Sequence, residues 1–569
     1  MSKKFKTIHP GINEYPEITL PIENFLDEGK PYYLIADLCF SKGRHLISHG
    51  QQWLKEGVTQ QRLIYLALIE EPIVSFESDG SALGDELAEK WPPLLPGIHE
   101  VHLAKDRVQL MLVFGPPEDS LKCLLSFGEP LQEKTLRAWS IDRWLWVGPA
   151  PNQDLQKLIH QFSHAKSMMV SDVSQPWFYH PNPMPTLKIK NAPWVFAKNK
   201  ALSGDNRIII IGAGLAGCYL ARLMANSGWK VTLLDKEKHC AKIGSGNTHS
   251  VLYPKFSLYQ APFTQILHQC YPFSYAVWSE FLSHQKHLGR ISELWQKSES
   301  EELHDFLKAS PTWFSFNKGL VVHKSCIVDM PKLCEYLIDH PQIEVHYEQN
   351  ITSLEYREDL WRADDFQAPV CVIANGYQTG QFSQTKHLSI EAIRGQMTYV
   401  QQVHEEDTVF CDQGHFSPLW KQVHAVGATF TPNNLSLEPN IEDDFKNLRS
   451  WESFFNTSFD IKGHWVGIRG VSLDHIPIVG PVPQSKDFLE TFQSWQHHAN
   501  LTSPELMPNY PGLFVFSGFG SRGLLTIPWL AEILKAQMTQ SPLLVSNDLL
   551  QALSPARFLR KKIKKYFKS

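Results

Sequence analysis

The stretch from Arg207 to Asp235 constrains the fold more than any other part of this 569-residue chain. Four isoleucines, Ile208–Ile211, predict a fully buried strand, and glycines with the spacing G-x-G-x-x-G follow directly. A helical run and a second strand, Val231–Leu234, come next and end at Asp235, which is placed to accept hydrogen bonds from a ribose. This order of elements is typical of a dinucleotide-binding βαβ unit.

Each glycine of the motif has a separate physical task. Gly212 allows the tight turn, Gly214 lets the backbone approach a pyrophosphate, and Gly217 lets the helix pack on the strand. The first helical residues, Leu215 and Ala216, bring unpaired N–H groups and the positive end of the helix dipole to the anion. The alternative is a glycine-rich turn in another α/β unit, because the glycine pattern alone is a weak signal.

Composition and charge narrow the class of protein. Apolar residues make up 43% of the chain and charged residues 20%, which is ordinary for a globular protein. The net charge of −5 argues against a wholly basic nucleic-acid binder. The nine cysteines form no C-x-x-C pair, so we expect a reducing compartment and no metal site. Since there is neither an apolar leader nor a run of about 18 apolar residues, we expect a cytoplasmic protein without a membrane segment.

The sequence pattern divides the chain into four parts. Buried strands alternate with helical segments in residues 1–171, which predicts a doubly wound α/β domain. Residues 172–206 contain five prolines and no clear period, as expected of a linker. The dinucleotide unit opens a second α/β domain, residues 207–556, in which Pro262–Leu307 is predicted to be largely helical. Residues 557–569 form a basic tail.

Two later segments of the second domain repeat the pattern of a strand followed by a turn of small residues. Ala368–Gly376 is a buried strand with such a turn, and Leu513–Phe516 runs into a glycine-rich turn and a helix. Such turns place backbone N–H groups at a ligand. The further residues predicted to bind the cofactor are Ser245, Gly246, Asn247, Ala374, Gly376, Gly518, Gly520, Ser521, Gly523 and Leu524.

We therefore expect three separated segments, near residues 207–261, 366–380 and 465–556, to converge on one site. The intervening chain would supply a substrate layer, because Ile393–Val400 and Val423–Phe430 alternate like strands of an antiparallel sheet. A nicotinamide-only dehydrogenase does not need this interleaving. An amine-oxidising FAD enzyme with two subdomains, as in D-amino-acid oxidases, does.

Several sequence blocks occur in the order that is found in the MnmC family of tRNA-modifying proteins, and the chain resembles that family. The resemblance covers the second half of the chain well and the first half in patches. Only the joint order of the blocks is specific. The matching blocks are LPGIH (95–99), GAGLAG (212–217), SGN (245–247), LYP (252–254), VIANG (372–376), GIR (467–469), DHIPIVG (474–480) and GSRGL (520–524).

The resemblance implies an FAD-dependent oxidation on the wobble uridine of tRNA. The carboxymethylaminomethyl group would lose its carboxymethyl arm and become an aminomethyl group. Because that arm is an N-substituted glycine, its carboxylate calls for a fork of cationic donors. Arg469 is the first catalytic candidate, followed by Arg522 and Arg394. The alternative for each is an ion pair at the surface or between domains.

The first half departs from the family's methyltransferase pattern in three places. The glycine-rich loop G-F-G-T-G-x-N is replaced by residues 38–45, and Val147–Asn152 lacks the aspartate of D-G-F-A-P-x-x-N-P. Pro116 stands where the family has an aspartate after F-G. Side chains in place of glycines indicate a methyltransferase-like domain without activity. The alternative is that other contacts replace the glycine loop and the domain is active. Only in that case is S-adenosylmethionine expected as a cofactor.

The tail, Arg557–Ser569, carries seven Lys and Arg residues and no acidic residue. On an acidic protein this predicts a phosphate-binding patch for tRNA, and the alternative is a solvated helix face. Two other functions stay open at this point. A free glycine- or sarcosine-type oxidase would need no basic tail, and a non-catalytic tRNA-binding scaffold would not need intact glycine loops. We expect a monomer.

Overall fold

The computed structural model describes residues 32–38, 40, 42–56, 61–70, 73–124, 140–146, 151–171, 205–259, 261–403, 407–412, 414–493, 506–539, 541–543 and 545–566. These residues fall into two compact units. The first takes those within 1–91, 100–122 and 140–187, and the second takes those within 92–99, 123–139 and 188–569.

The first unit is organised around a six-stranded sheet. Its strands are β1 (Tyr32–Asp37), β2 (Arg62–Ile69), β3 (Ile98–Leu103), β4 (Val108–Phe114), β5 (Ile141–Trp146) and β6 (Ser163–Ser171). Its helices are α1 (Arg44–Lys55), α2 (Ala82–Lys90), α3 (Pro117–Leu124) and α4 (Gln153–Phe162). The strand order is β3-β4-β2-β1-β5-β6, and β4, β2, β1, β5 and β6 pair in parallel. A parallel sheet with intervening helices is Rossmann-like, as the alternating pattern predicted.

The second unit contains three sheets and nine helices among its described residues. The strands are β7 (Arg207–Ile211), β8 (Lys230–Leu234), β9 (Ser250–Val251), β10 (Gly289–Gln296), β11 (Phe314–Phe316), β12 (Leu320–Val328), β13 (Ile343–His346), β14 (Glu355–Arg357), β15 (Leu360–Ala363), β16 (Phe366–Ala368), β17 (Val370–Ile373), β18 (Ile390–Val400), β19 (Thr408–Cys411), β20 (His415–Phe416), β21 (His424–Gly427), β22 (Thr431–Pro432), β23 (Ile461–Ser472), β24 (Ile478–Pro483) and β25 (Asn509–Ser517). The helices are α5 (Leu215–Asn226), α6 (Pro262–His284), α7 (Glu301–Leu307), α8 (Met330–Ile338), α9 (Ile441–Phe455), α10 (Ser485–Thr491), α11 (Gly523–Thr539), α12 (Asn547–Leu553) and α13 (Arg557–Tyr566).

One sheet of the second unit has the order β13-β8-β7-β17-β25-β24, with all pairs parallel except β24–β25. The isoleucines of β7 explain why this strand is central. Ile208 and Ile210 belong to the apolar core that includes α5, α6 and α11. Ile209 and Ile211 belong to a separate core on the other face, around Trp361 of β15. A strand buried on both faces is a near-continuous apolar run, as the sequence predicted.

A ten-stranded, largely antiparallel sheet forms the second layer. Its path is β11-β12-β10-β19-β20-β21-β18-β22, and β23 pairs along β18. The predicted antiparallel strands are present as β18 and β21, which pair with each other. The prediction of a largely helical Pro262–Leu307 is wrong in its middle, because β10 interrupts it and pairs with β12. The extended conformation of residues 289–296 depends on pairing with β12, which lies later in the sequence. The local sequence pattern does not contain that information.

Helix α11 begins at Gly523, five residues before Pro528, which therefore lies inside the helix. A proline inside a helix has no N–H to donate to the carbonyl four residues earlier. That carbonyl belongs to Leu524, and it accepts a hydrogen bond from the Trp278 indole nitrogen at 2.7 Å instead. A side chain of α6 thus replaces the missing helical hydrogen bond.

Among the helices of the described chain, none has the length and apolarity that crossing a membrane requires.

Candidate active site

The three predicted glycine-bearing turns meet at one edge of the β7-containing sheet. Strands β7, β17 and β25 are consecutive neighbours, and Ile373 at the end of β17 pairs with Ile211 at the end of β7 and with Val515 near the end of β25. Because they run in parallel, the turns at Gly212, Ala374 and Gly518 emerge at the same edge. All three turns line one cavity of about 560 Å³. The predicted convergence of distant segments is therefore confirmed.

Close backbone contacts account for two glycines of the first motif. Gly212 has a φ of +111°, and a Cβ atom there would lie 2.6 Å from the carbonyl oxygen of Ala374. A Cβ atom on Gly217 would overlap the carbonyl oxygen of Gly212. Larger residues would separate α5 from the turn, or β7 from β17. The two glycines therefore permit the packing that shapes the cavity.

The amino end of α5 lies at the cavity wall. The helix begins at Leu215, and the cavity is lined by Gly214, Leu215 and Ala216. The N–H of Leu215 donates to Ser245 Oγ at 3.0 Å, which ties the loop containing Ser245 to the helix. A helix amino end with small residues at its first turn lets an anionic group approach the dipole and the backbone N–H groups.

Asp235 follows β8 and lines the same cavity. Its carboxylate accepts hydrogen bonds from the N–H groups of Ala213 and, at 2.8 Å, Glu237. Burial raises the pKa of this carboxyl, and the two backbone hydrogen bonds oppose that rise. Asp235 is thus fixed at the wall, where the sequence predicts a ribose ligand.

All but two of the residues predicted to bind the cofactor line this cavity. The lining residues are Gly212, Gly214, Leu215, Ala216, Asp235, Ser245, Asn247, Ala374, Gly376, Gly518, Gly520, Ser521, Gly523 and Leu524. The two exceptions, Gly217 and Gly246, allow close packing instead, since a Cβ atom on Gly246 would lie 2.5 Å from the indole nitrogen of Trp465. Direct contact of each residue with a cofactor stays a prediction.

Arg469 lies on β23, and its side chain lines the cavity. Burial lowers the pKa of its guanidinium to about 10, which leaves it protonated at neutral pH. No carboxylate of the described residues contributes to that pKa. Arg469 is half-buried, and no salt bridge joins it to an acidic residue of the described chain. A cation that is partly removed from water is costly unless a ligand supplies the negative charge. The arrangement therefore suits an anionic group inside the cavity.

Arg522 lines the cavity beside the turn after β25. Its guanidinium lies 5.9 Å from the ring centre of Tyr253 and 5.8 Å from that of Phe263. Burial lowers the pKa of Arg522. Its Nη1 atom is buried without a hydrogen-bond partner among the described residues. An unpaired buried donor is unfavourable, so a ligand acceptor would offset that cost.

The third arginine candidate, Arg394, is not part of the cavity wall. It is buried in β18 and forms an ion pair with Asp443. It also donates to the carbonyl oxygens of Ser436 at 3.0 Å and Glu438 at 2.6 Å. The prediction of Arg394 as a carboxylate ligand is wrong. This arginine instead fixes the chain before α9 to the sheet.

Six aromatic residues of the cavity wall were not among the residues predicted to bind a ligand: Tyr253, Tyr377, Phe430, Trp465, Phe516 and Phe519. Tyr253 belongs to the LYP block, whereas Phe430 and Trp465 belong to no glycine motif. The available signal was an aromatic residue at the end of a predicted substrate-layer strand, which applies to Phe430. That signal is weak, because exposed aromatic residues are common at strand ends.

The basic tail is partly a packed helix. In α13, Phe558, Leu559 and Ile563 are buried in the apolar core. Arg557 is also buried, and its guanidinium binds Asp474, so it is unavailable to phosphate. Arg560, Lys561 and Lys562 are exposed on the other face, although Lys561 also donates to Asp474 at 2.9 Å. The last residues of the tail, 567–569, lie outside the described residues.

In the first unit, aromatic rings pack beside the residues that replace the family's glycine loop. Phe40 is 4% exposed, and its ring stacks on Trp91, which also stacks on Phe76. A Cβ atom on Gly43 would lie 2.5 Å from the Phe76 ring. Aromatic side chains therefore fill the space beside Phe40 and Gly43. Residues 147–150, within the second replaced motif, lie outside the described chain.

The cavity, the parallel sheet with three glycine turns and the antiparallel layer together define a flavin-dependent oxidoreductase fold. The family model for FAD dependent oxidoreductases (DAO) matches residues 207–537, and the chain belongs to this family. Its cofactor is therefore FAD, and the glycine cradle, the helix amino end and Asp235 fit a dinucleotide.

The chain is also similar, over nearly its whole length, to proteins named tRNA 5-methylaminomethyl-2-thiouridine biosynthesis bifunctional protein MnmC. The Legionella pneumophila (strain Lens) protein is 29% identical over 93% of this chain and 90% of its own. The Chromobacterium violaceum protein is 27% identical over 93% of this chain and 89% of its own. Among solved structures, glycine oxidase from Geobacillus kaustophilus is 16% identical, with a TM-score of 0.46, over 59% of this chain and 96% of that chain.

Proposed function

We propose that this protein uses FAD to remove the carboxymethyl group from 5-carboxymethylaminomethyluridine, or its 2-thio form, at the wobble position of tRNA. The observation that carries the proposal is Arg469, a cation inside the cavity with no acidic partner among the described residues. An N-substituted glycine arm brings the carboxylate that this cation requires. The similarity to MnmC proteins, which extends over 93% of the chain, indicates that the arm is attached to a uridine of tRNA.

When bound, FAD would supply the oxidising power for the reaction, with a hydride leaving the carbon that lies between the carboxylate and the secondary amine of the arm. The protein's part is to bind and orient. The turns at Gly212, Ala374 and Gly518 and the carboxylate of Asp235 would hold the cofactor. Arg469 would hold the substrate carboxylate with two parallel hydrogen bonds, which fixes the arm in one direction.

Arg522, which lines the same cavity, would assist. Its buried, unpaired Nη1 atom needs an acceptor, and either a carboxylate oxygen or an oxygen of the cofactor satisfies it. No protein base is required, because the neutral secondary amine can be oxidised directly. Hydrolysis of the oxidised arm releases glyoxylate and leaves the aminomethyl group on the uridine.

The first unit contributes no methylation in this account. The name of the MnmC relatives, bifunctional protein, implies a second activity. In this chain, however, side chains replace the glycines that would let S-adenosylmethionine approach the backbone. The packing of Phe40 and Phe76 on Trp91 supports this reading. A separate methyltransferase would then complete the modification, and S-adenosylmethionine would be a cofactor of this chain only if the first unit were active through substituted contacts.

We place the reaction in the cytoplasm, with tRNA as the partner and the protein acting as a monomer. Nucleosides of tRNA from a strain that lacks this protein, analysed by mass spectrometry, test the function. Accumulation of carboxymethylaminomethyluridine, reversed by the wild-type gene and not by an Arg469→Met variant, is expected. An unchanged nucleoside profile would contradict the proposal.

A further inference from the structure

Phe430 combines two properties that do not occur together in the other aromatic residues of the cavity wall. It lines the cavity, and its side chain is 58% exposed. Tyr253, Tyr377, Trp465 and Phe519 line the same cavity but are only partly exposed, and Phe516 is buried. A single exposed apolar side chain needs no explanation by itself. An exposed ring on a cavity wall is different, because it presents a free aromatic face to a ligand that binds there.

The backbone around Phe430 is fixed on both sides. Thr429 donates its N–H to the carbonyl oxygen of Gln396 at 3.2 Å, and its hydroxyl accepts from the N–H of Gln396 at 3.0 Å. On the other side, Thr431 pairs with Arg394 in the β18–β22 ladder. A ring carried by such a pinned segment loses little conformational freedom when it contacts a ligand.

Arg469 and the chain leading to Phe430 meet at Gly395 of β18. A Cβ atom on Gly395 would lie 2.8 Å from the guanidinium carbon of Arg469 and 2.8 Å from the carbonyl oxygen of Thr429. The residue before Phe430 therefore lies beside the guanidinium head. A carboxylate held by Arg469 would place the rest of a short arm in the neighbourhood of Phe430.

We infer that Phe430 is a stacking platform for the pyrimidine ring that carries the oxidised arm, and that it gives the enzyme its preference for a nucleobase-bearing substrate. This inference rests on the proposed function. The chemistry is that of a planar base on an aromatic face, the usual way in which proteins hold unstacked bases of single-stranded RNA. The exposed ring on the cavity wall receives the base, while the arm continues to Arg469.

The test compares two substrates of the FAD-loaded, full-length protein. One is an anticodon stem-loop RNA with carboxymethylaminomethyluridine, and the other is N-methylglycine, which has the same carboxylate and amine without a base. For Phe430→Ala, we expect kcat/KM on the RNA to fall by about fivefold or more, the range found when one base-stacking aromatic residue is removed. Turnover of N-methylglycine should be unchanged, and Phe430→Trp should restore the RNA reaction.

Phe445→Ala is the matched control, because Phe445 is 66% exposed and is not a residue of the cavity wall. It should leave both reactions unchanged. Binding of the fluorescently labelled stem-loop, measured by anisotropy, gives a second readout that does not depend on turnover. The inference is overturned if Phe430→Ala leaves RNA turnover and binding unchanged, or if it lowers both substrates equally without rescue by Trp. Wild-type protein that oxidises only N-methylglycine would instead contradict the proposed function, and with it this inference.

Discussion

Arg557 donates two hydrogen bonds to the carboxylate of Asp474, from Nε at 3.0 Å and from Nη2 at 2.9 Å. The pair joins α13 to the loop after β23, the strand that carries Arg469. The Arg557 and Lys561 cations hold the pKa of Asp474 below its usual value, against the effect of burial. The beginning of the basic tail is therefore part of the folded oxidoreductase unit.

Breaking this pair should destabilise the protein. Asp474→Asn is expected to lower the free energy of unfolding by about 2 kcal/mol at pH 7, because Arg557 stays buried without its anion. Lys561→Gln is the control, since Lys561 is largely exposed, and it should cost less than about 0.5 kcal/mol. Denaturant titration measures both values, and equal effects of the two substitutions would contradict the structural role of Arg557.

The same pair predicts a pH dependence. The pKa of Asp474 is lower in the folded protein than in the unfolded chain. The ionised carboxylate therefore contributes its full share to the free energy of unfolding above the ordinary aspartate pKa of about 3.9. This contribution is lost as the pH falls below that value. The stability difference between wild type and Asp474→Asn should therefore be constant from pH 5 to 8 and shrink below about pH 4.

The exposed face of α13 should contribute to tRNA binding. Replacing Arg560, Lys561 and Lys562 with Gln is expected to weaken binding at low salt. The slope of log Kd against log salt should fall by about 2 to 3, because each phosphate contact releases about 0.7–0.9 of a counterion. The control removes three lysines elsewhere, Lys308→Gln, Lys446→Gln and Lys462→Gln, for the same change in net charge. An identical loss in both triple variants would assign the effect to overall charge instead of the tail.

Arg469 should be needed for the substrate and not for the cofactor. Arg469→Met is expected to lower kcat/KM on modified tRNA by about 10- to 150-fold, the equivalent of ~1.5–3 kcal/mol for a charged hydrogen-bond partner, with flavin absorbance unchanged. Burial sets the pKa of this guanidinium near 10, and only the protonated form binds a carboxylate. The wild-type kcat/KM should thus show no loss from this group between pH 6 and 8 and fall as the pH rises through about 10.

Arg469→Lys distinguishes a fork of donors from a point charge. It should recover only part of the activity, because an ammonium cannot make the two parallel hydrogen bonds. Arg449→Met, at an exposed arginine that is not part of the cavity wall, should behave as wild type. Loss of bound flavin in Arg469→Met would show that this arginine holds the cofactor and not the substrate.

The first unit should not bind S-adenosylmethionine. Calorimetric titration of the full-length protein is expected to give no heat of binding at micromolar concentrations, since Phe40 and Phe76 pack on Trp91 beside the altered loop. An active MnmC protein with the glycine loop is the positive control. Saturable micromolar binding would show that substituted contacts replace the glycines.

The glycine motifs could be located from the sequence because their physical demands are local. A buried run of isoleucines, a turn that needs a positive φ and a helix amino end all lie within a few residues of Gly212. The convergence of the three turns could be predicted for the same reason, because each turn follows a parallel strand.

Other parts of the site depend on contacts between residues far apart in sequence, and these could not be predicted. Strand β10 is held in place by pairing with β12. Arg394 forms an ion pair with Asp443 on α9 and is therefore not available as a ligand of the substrate carboxylate. Phe430 becomes a cavity residue only because the segment after β21 folds back onto β18. Local patterns assign residues to elements, but they do not state which neighbours those elements meet.

Purified protein mixed with tRNA that carries carboxymethylaminomethyluridine tests the flavin-dependent reaction directly. We expect a yellow protein with flavin absorbance that bleaches when the tRNA is added without oxygen. The nucleoside should lose the carboxymethyl mass, and one glyoxylate should be released per uridine. A colourless protein that cannot take up FAD, or a flavoprotein whose absorbance and tRNA remain unchanged, would contradict the proposed function.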